Sequence, residues 1–237
     1  MTSPTDNPIE IEPPGAANAA VIWLHGLGAD GHDFEPLVPE LGLVERGVRF
    51  VLPHAPFIPV TINGGMRMPA WYDIRWPDLA RDVDEAGIRA SVGYLRSLID
   101  REVERGIPPK RVVLAGFSQG GAIALHTGLT DLRRLGGVLA LSTYLPLPDA
   151  LEAELSPAAR DLHLLFCHGT EDPIAPLALA EASRQRLEAL GLAPEFRTYP
   201  MGHAVCGPEI EDIRRWLYVR LCPNEQDGNS GQAGPDA

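Results

Sequence analysis

Short apolar runs alternate along the chain with stretches whose apolar residues recur every three to four positions. Glu195–Tyr199, of mixed polarity, reads as a strand, and the apolar runs are Ala19–Leu24, Val48–Leu52 and residues 111–114, 135–141 and 162–167. Their length and continuity predict strands buried on both faces. Between them, Phe34, Leu37, Val38 and Leu41 fall on one helical face, and Ile88, Val92, Leu95, Ile99 and Val103 share another over residues 84–106. Gly106 and the pair Pro108-Pro109 stop that second helix. Further helices are predicted from residue 121 onward, over 176–190, and over 208–221 with proline in the first turn. Strands alternating with helices of this length imply the α/β class, with a mostly parallel central sheet covered by helices on both faces.

Three stretches break the pattern. Residues 1–17 are rich in Pro, Gly, Asp and Asn and read as a flexible leader. Residues 223–237 have no apolar periodicity and read as a disordered tail. No linker divides residues 18–222, which form a single domain by this reading. Inside it, residues 54–78 lack a regular period but hold Phe57, Met66, Met68, Trp71, Tyr72 and Trp76, with an Asn63-Gly64 hairpin signal. Long irregular segments in compact domains are often binding loops or lids.

The run 111–114 leads directly into Gly116-Phe-Ser118-Gln119-Gly120, and a helical pattern follows. A bare G-x-S-x-G is also compatible with an ordinary glycine-rich turn. Placed between strand and helix, it reads as a nucleophile elbow. The flanking glycines permit a turn too tight for side chains, and Ser118 is held exposed in a strained conformation. A serine hydroxyl is a poor nucleophile near pH 7 and needs a base beside it. Among the 7 histidines only His203 follows the last predicted strand, in Met201-Gly-His-Ala. Asp172 follows the strand before that, and is the candidate acid that orients His203 and fixes its tautomer. Glu171 is its rival, and a turn-forming role before Pro173 is the plainer alternative. Asp30, Asp33 and Asp73 read as loop-shaping acids. The order Ser118, Asp172, His203 is that of an α/β-hydrolase, and each residue lies just after a strand, where ligands bind in such sheets.

A tetrahedral intermediate also needs donors for its oxyanion. Gln119 N–H is one candidate. Leu27 N–H, in the glycine-rich loop after the strand Ala19–Leu24, is the other. A phosphate-loop reading of His25-Gly-Leu-Gly lacks both the third glycine of a dinucleotide site and a Gly-Lys-Ser/Thr. No Cys or His spacing fits a metal site, and no metal or cofactor is expected. Met66, Met68, Trp71, Tyr144 and Leu145 are candidates for contact with an acyl group, with core or lid packing as the alternative role for each.

Composition narrows the partners. The formal net charge is -12, which leaves no basic face for nucleic acid or anionic lipid. The 3 cysteines make no disulfide framework, the first residues do not resemble a signal peptide, and no apolar run reaches the ~18 residues of a membrane span. A cytoplasmic protein without stable membrane insertion is expected.

Taken in order, His25-Gly-Leu-Gly-Ala-Asp-Gly-His-Asp-Phe, Pro53-His-Ala-Pro, Trp71-Tyr-Asp-Ile, Gly116-Phe-Ser-Gln-Gly-Gly, Leu141-Ser-x-Tyr-Leu-Pro, His168-Gly-Thr-x-Asp-Pro and Tyr199-Pro-Met-Gly-His resemble the phospholipase/carboxylesterase family. That family includes bacterial carboxylesterases and acyl-protein thioesterases. The resemblance spans about residues 19–221 and implies an α/β-hydrolase fold. It implies Ser118, Asp172 and His203 as catalytic triad and Leu27 and Gln119 as oxyanion hole. Met66-x-Met68-x-Ala70-Trp71-Tyr72 looks more like the bacterial esterases, which implies hydrolysis of a short- to medium-chain carboxylic ester. A thioesterase or lysophospholipase acting on long acyl chains is the alternative. A hydrolase-fold binding protein is the non-enzyme alternative, and it would be expected to have lost a triad residue. Dimers occur in the family, so a homodimer stays open, although nothing in the sequence specifies an interface.

Overall fold

The computed structural model describes residues 7–77, 79 and 82–222. Nine strands are found there: β1 (Ile9–Ile11), β2 (Ala19–Leu24), β3 (Val48–Leu52), β4 (Phe57–Val60), β5 (Met66–Pro69), β6 (Val112–Phe117), β7 (Gly137–Leu141), β8 (Leu164–Gly169) and β9 (Glu195–Tyr199). The α-helices are α1 (Val38–Leu41), α2 (Glu85–Glu104), α3 (Gln119–Thr130), α4 (Pro148–Glu154), α5 (Leu177–Ala189) and α6 (Gly207–Leu221). Seven strands form one sheet in the order β1-β3-β2-β6-β7-β8-β9, parallel except for β1.

The continuous apolar runs are explained by the two cores they separate. Ala20, Ile22 and Leu24 of β2 join Leu114, Ala140 and Phe166 on one face, beneath α2, α3 and α5. Ala19, Val21 and Trp23 join Ala115, Leu139 and Leu165 on the other, beneath α1 and α6. Alternate residues therefore face opposite layers, and neither set can be polar. The parallel register brings Leu24 beside Gly116, Phe117 beside Leu141, and Gly169 beside Tyr199. The carboxyl ends of β2, β6, β7, β8 and β9 thus lie along one edge.

Three segments differ from expectation. Residues 9–11, read as part of a leader, are the edge strand β1, paired with β3. Ion pairs hold it: Glu10 with Arg101 at 2.7 Å and Arg105 at 2.9 Å, and Glu12 with Arg49 at 2.8 Å. Arg49 also meets the fully buried Glu102 at 2.7 Å. A three-residue strand carries too little periodicity to be seen in a sequence, and its partners lie far along the chain. The helix expected around residues 34–41 is only a 3-10 turn followed by the single turn α1, ended by Gly42 at φ 64°. Residues 54–78 contain the β4–β5 hairpin, whose turn has Gly64 and Gly65 in the left-handed region. The tail expected at 223–237 lies outside the described residues, as do residues 1–6.

Candidate active site

Ser118 closes β6 and opens α3 with φ 54° and ψ -121°. A non-glycine residue there is strained, and its neighbours show what enforces the turn. A Cβ on Gly116 would come within 3.0 Å of the Gly120 backbone, and one on Gly120 within 3.0 Å of the carbonyls of Leu24 and His25. Glycine lets α3 start directly against β6 and against the loop after β2. Ser118 N–H donates to Leu141 O at 2.8 Å, and the Thr143 hydroxyl donates to Ser118 O at 2.6 Å.

His203 Nε2 lies 2.9 Å from Ser118 Oγ, and His203 Nδ1 lies 2.7 Å from Asp172 Oδ2. A carboxylate can only accept, so Nδ1 carries the proton and Nε2 faces the serine with its lone pair. Asp172 is prepared for this by its own turn: Oδ1 accepts Ile174 N–H and Ala175 N–H, each at 2.9 Å. Glu171, its sequence rival, is exposed, whereas Asp172 is buried. The Asp172 and His203 loops are joined by Thr170 N–H to Tyr199 O at 2.8 Å and Glu171 N–H to Met201 O at 3.0 Å. Gly169 permits that approach, since a Cβ there would strike the carbonyls of Met201 and Gly202.

Two neighbours were not anticipated from the sequence. Phe117 packs on the His203 ring, with centroids 4.7 Å apart. His168, buried at the end of β8, has Nε2 2.7 Å from Ala175 O and 3.6 Å from Asp172 Oδ2, and burial pushes its pKa down. The motif that resembles the family includes His168, but its role depends on what the β8 end packs against.

Leu27 sits in the loop after β2, half-buried, between Gly26 and Gly28. The adjacent Gly28 N–H donates to Pro69 O at 2.9 Å and Ala29 N–H to Gly26 O at 3.3 Å. Gln119 is the first residue of α3, where backbone N–H groups have no partner within the helix. Among the five apolar candidates the structure separates two groups. Tyr144 and Leu145 line a groove of about 480 Å³ with Val83, Leu147, Leu179 and Ala182. Trp71 does not; it is buried against His25 and Tyr94, where its indole N–H donates to His25 O at 2.8 Å. Met66 is 64% exposed on the hairpin, and Met68 lies close to Gly28. Of the five candidates, Tyr144 and Leu145 line the groove, Trp71 packs in the core, and Met66 and Met68 lie on the hairpin. Asp30 and Asp73 do shape loops, accepting His32 N–H at 2.8 Å and Thr61 N–H at 2.7 Å. Among the described residues no His/Cys/Asp/Glu cluster suits a metal ion, and no helix is long and apolar enough to cross a membrane.

The array can lower the barrier to acyl transfer, with a serine activated by a neutral imidazole that a buried carboxylate holds in one tautomer. Comparison with known proteins agrees with that chemistry. Residues 6–221 match the family model described as Phospholipase/Carboxylesterase. The chain is 43% identical over 214 residues to Acyl-protein thioesterase 1 of Neurospora crassa, covering 86% of this chain and 87% of that protein. Arabidopsis thaliana SOBER1 superposes with a TM-score of 0.82 at 31% identity, covering 86% of this chain and 100% of that one. Zea mays acyl-protein thioesterase 2 gives 0.81 at 28% identity, covering 90% and 98%. With its seven-stranded sheet and a strained serine at the end of β6, the chain belongs to the phospholipase/carboxylesterase family of α/β-hydrolases and is a serine hydrolase of the esterase and thioesterase type.

Proposed function

We propose that this protein hydrolyses acyl thioesters and esters through an acyl-enzyme, with long-chain acyl thioesters as its preferred class. Ser118 attacks the carbonyl while His203 Nε2 takes its proton. Asp172 holds the imidazolium, and Leu27 N–H and Gln119 N–H receive the oxyanion. The imidazolium then protonates the leaving thiol or alcohol, and a water deprotonated by His203 releases the acid. The observation that carries the reaction is the continuous bonding from Ser118 Oγ through His203 to Asp172, at 2.9 and 2.7 Å.

Two observations favour the acyl-protein thioesterase reading, with its long acyl chains, over the short-chain ester read from Met66-x-Met68-x-Ala70-Trp71-Tyr72. Relatives at 40–43% identity are named acyl-protein thioesterase 1. The groove at Tyr144 and Leu145 has a volume of about 480 Å³, inside the ~300–1,000 Å³ range of small-molecule sites, and its walls are mostly apolar. Met66, one residue of that motif, stands largely in solvent.

A panel of acyl chains from two to sixteen carbons, each as thioester and as oxygen ester, tests this. The expected result is kcat/KM rising with chain length and higher for the thioester, with all turnover lost in Ser118→Ala. A maximum at short oxygen esters would favour the carboxylesterase reading. Turnover surviving in Ser118→Ala would overturn the nucleophile assignment.

A further inference from the structure

The two proposed oxyanion donors lie on different segments. Leu27 follows β2 and Gln119 follows β6. These strands are neighbours, and their last paired residues are Leu24 and Gly116. Beyond that point no sheet register fixes the donors relative to each other, and the Leu27 loop contains Gly28 at φ 78°. Something other than the sheet must set their spacing.

We propose that residues 69–72 tie the two halves of the oxyanion cleft together, with the Gln119 side chain as the anchor. Gln119 then acts twice, its backbone N–H facing the oxyanion and its amide positioning the cleft. The proposal rests on the functional reading above.

The bonds run to both sides. Toward the Leu27 loop, Pro69 O accepts Gly28 N–H at 2.9 Å and the Trp71 indole donates to His25 O at 2.8 Å. Toward α3, Trp71 N–H donates to Gln119 Oε1 at 2.8 Å and Gln119 Nε2 donates to Tyr72 O at 2.7 Å. The Gln119 amide thus spends its oxygen and one N–H on adjacent backbone groups, which no apolar isostere could do. The tie is itself held. Ser91 Oγ donates to Trp71 O, and Ala70 N–H donates to Pro56 O at 3.0 Å. His25 fastens the loop side: Ala55 N–H donates to its Nε2 at 3.0 Å, so Nδ1 bears the proton and donates to Gly26 O at 2.7 Å. Trp71, Tyr72, His25 and Gln119 are all 2% exposed or less. In such a site each unpaired polar group is costly, so the network resists partial opening.

The consequence is specific to one step. As Ser118 attacks, the Oγ–C bond forms, the carbonyl π pair moves onto oxygen, and the hydroxyl proton passes to His203 Nε2. Donors that drift apart stabilise this oxygen less, while the ground-state acyl chain in its groove is unaffected. Misplacement of about 1 Å can cost up to ~10² in rate. Trp71 and Tyr72 touch neither substrate nor reacting atoms in this scheme and are positioning residues.

The test uses the full chain with Gln119→Met, Trp71→Phe and the double variant. For each, kcat and KM are measured, together with the affinity of an acyl trifluoromethyl ketone, on which Ser118 forms a charged tetrahedral adduct. The expected result is kcat lower by about 10- to 100-fold, KM within threefold, and ketone affinity falling in parallel with kcat. The double variant should lose less than the product of the single losses, because both changes cut one tie. Normal kcat in Trp71→Phe, or a kcat loss with unchanged ketone affinity, would overturn the proposal. Trp71→Phe removes the indole N–H and part of the buried ring while leaving both Gln119 bonds to the backbone possible, so with the ketone affinity beside kcat it decides the matter even if Gln119→Met does not fold. Absence of Ser118-dependent turnover in the wild-type protein would instead overturn the functional reading itself.

Discussion

Two regions of the molecule, the loops that carry the triad and the groove at Tyr144 and Leu145, are built on different principles. On one side, the loops of Leu27, Asp172 and His203 are fastened by hydrogen bonds to backbone groups, and glycines allow the close approaches. On the other, the groove between the start of α2, the segment 144–150 and α5 is mostly apolar. It is braced at few points: Tyr72 and Tyr144 hydroxyls at 2.9 Å, Leu145 N–H to Ser183 Oγ at 2.8 Å, and Arg89 to Glu154 at 2.6 Å. Directional bonds fix atoms to a few tenths of an ångström, as charge development in a transition state requires. Apolar contact is non-directional and scales with area, which suits a chain recognised by its length. On the function proposed above, the first region sets the rate and the second the choice of substrate.

The largest test of that division is Asp172→Asn. It keeps shape, but with its oxygen held by Ile174 and Ala175 N–H the amide turns its NH2 toward His203 Nδ1 and favours the wrong tautomer, so kcat should fall by about 10³–10⁴ while the order of preference among acyl chains stays the same. A changed chain preference would show that the two regions are coupled. Next in size is the groove. Ala182, exposed on α5, lines it, and Ala182→Phe should shorten the preferred chain with about a tenfold or larger loss for long chains and little for acetyl substrates. Met66→Ser, outside the groove, should change neither profile by more than about twofold. An equal loss across all chain lengths in Ala182→Phe would break the assignment of the groove to substrate choice.

The smallest effect concerns pH. Glu209 is fully buried in the first turn of α6, just after the His203 loop, and burial pushes its carboxyl from the usual 4.5 to about 7. The folded chain then holds a proton that the unfolded chain releases. The stability this contributes is complete below about pH 4.5 and is lost as pH rises toward 7. His25, His126 and His168 act oppositely, since burial lowers their pKa values and stability falls as pH drops below about 6.5. Glu209→Gln removes only the first trend. Its thermal midpoint relative to wild type should be higher at pH 8 than at pH 5 by about 3 °C or more. Equal differences at the two pH values would mean that Glu209 does not hold its proton.

Much of this is determined by the sequence alone, wherever the physical requirement is local. A strand buried on both faces must be apolar throughout, so β2, β6, β7 and β8 are visible as runs. A turn such as 116–121 tolerates almost nothing but glycine, so Ser118 announces itself, and chain order then points to Asp172 and His203. Only the tertiary structure decided the remainder, because those choices depend on partners distant in sequence. Ile9–Ile11 joins the sheet because Arg49, Arg101 and Arg105 wait beside it. Asp172 rather than Glu171 meets His203 because the turn at 172–175 buries one and exposes the other. Trp71 packs in the core because His25 O and the Gln119 side chain supply partners for its two N–H groups. Local backbone demands are written in residue type, whereas the direction of a side chain is settled by whatever polar group lies within reach after folding.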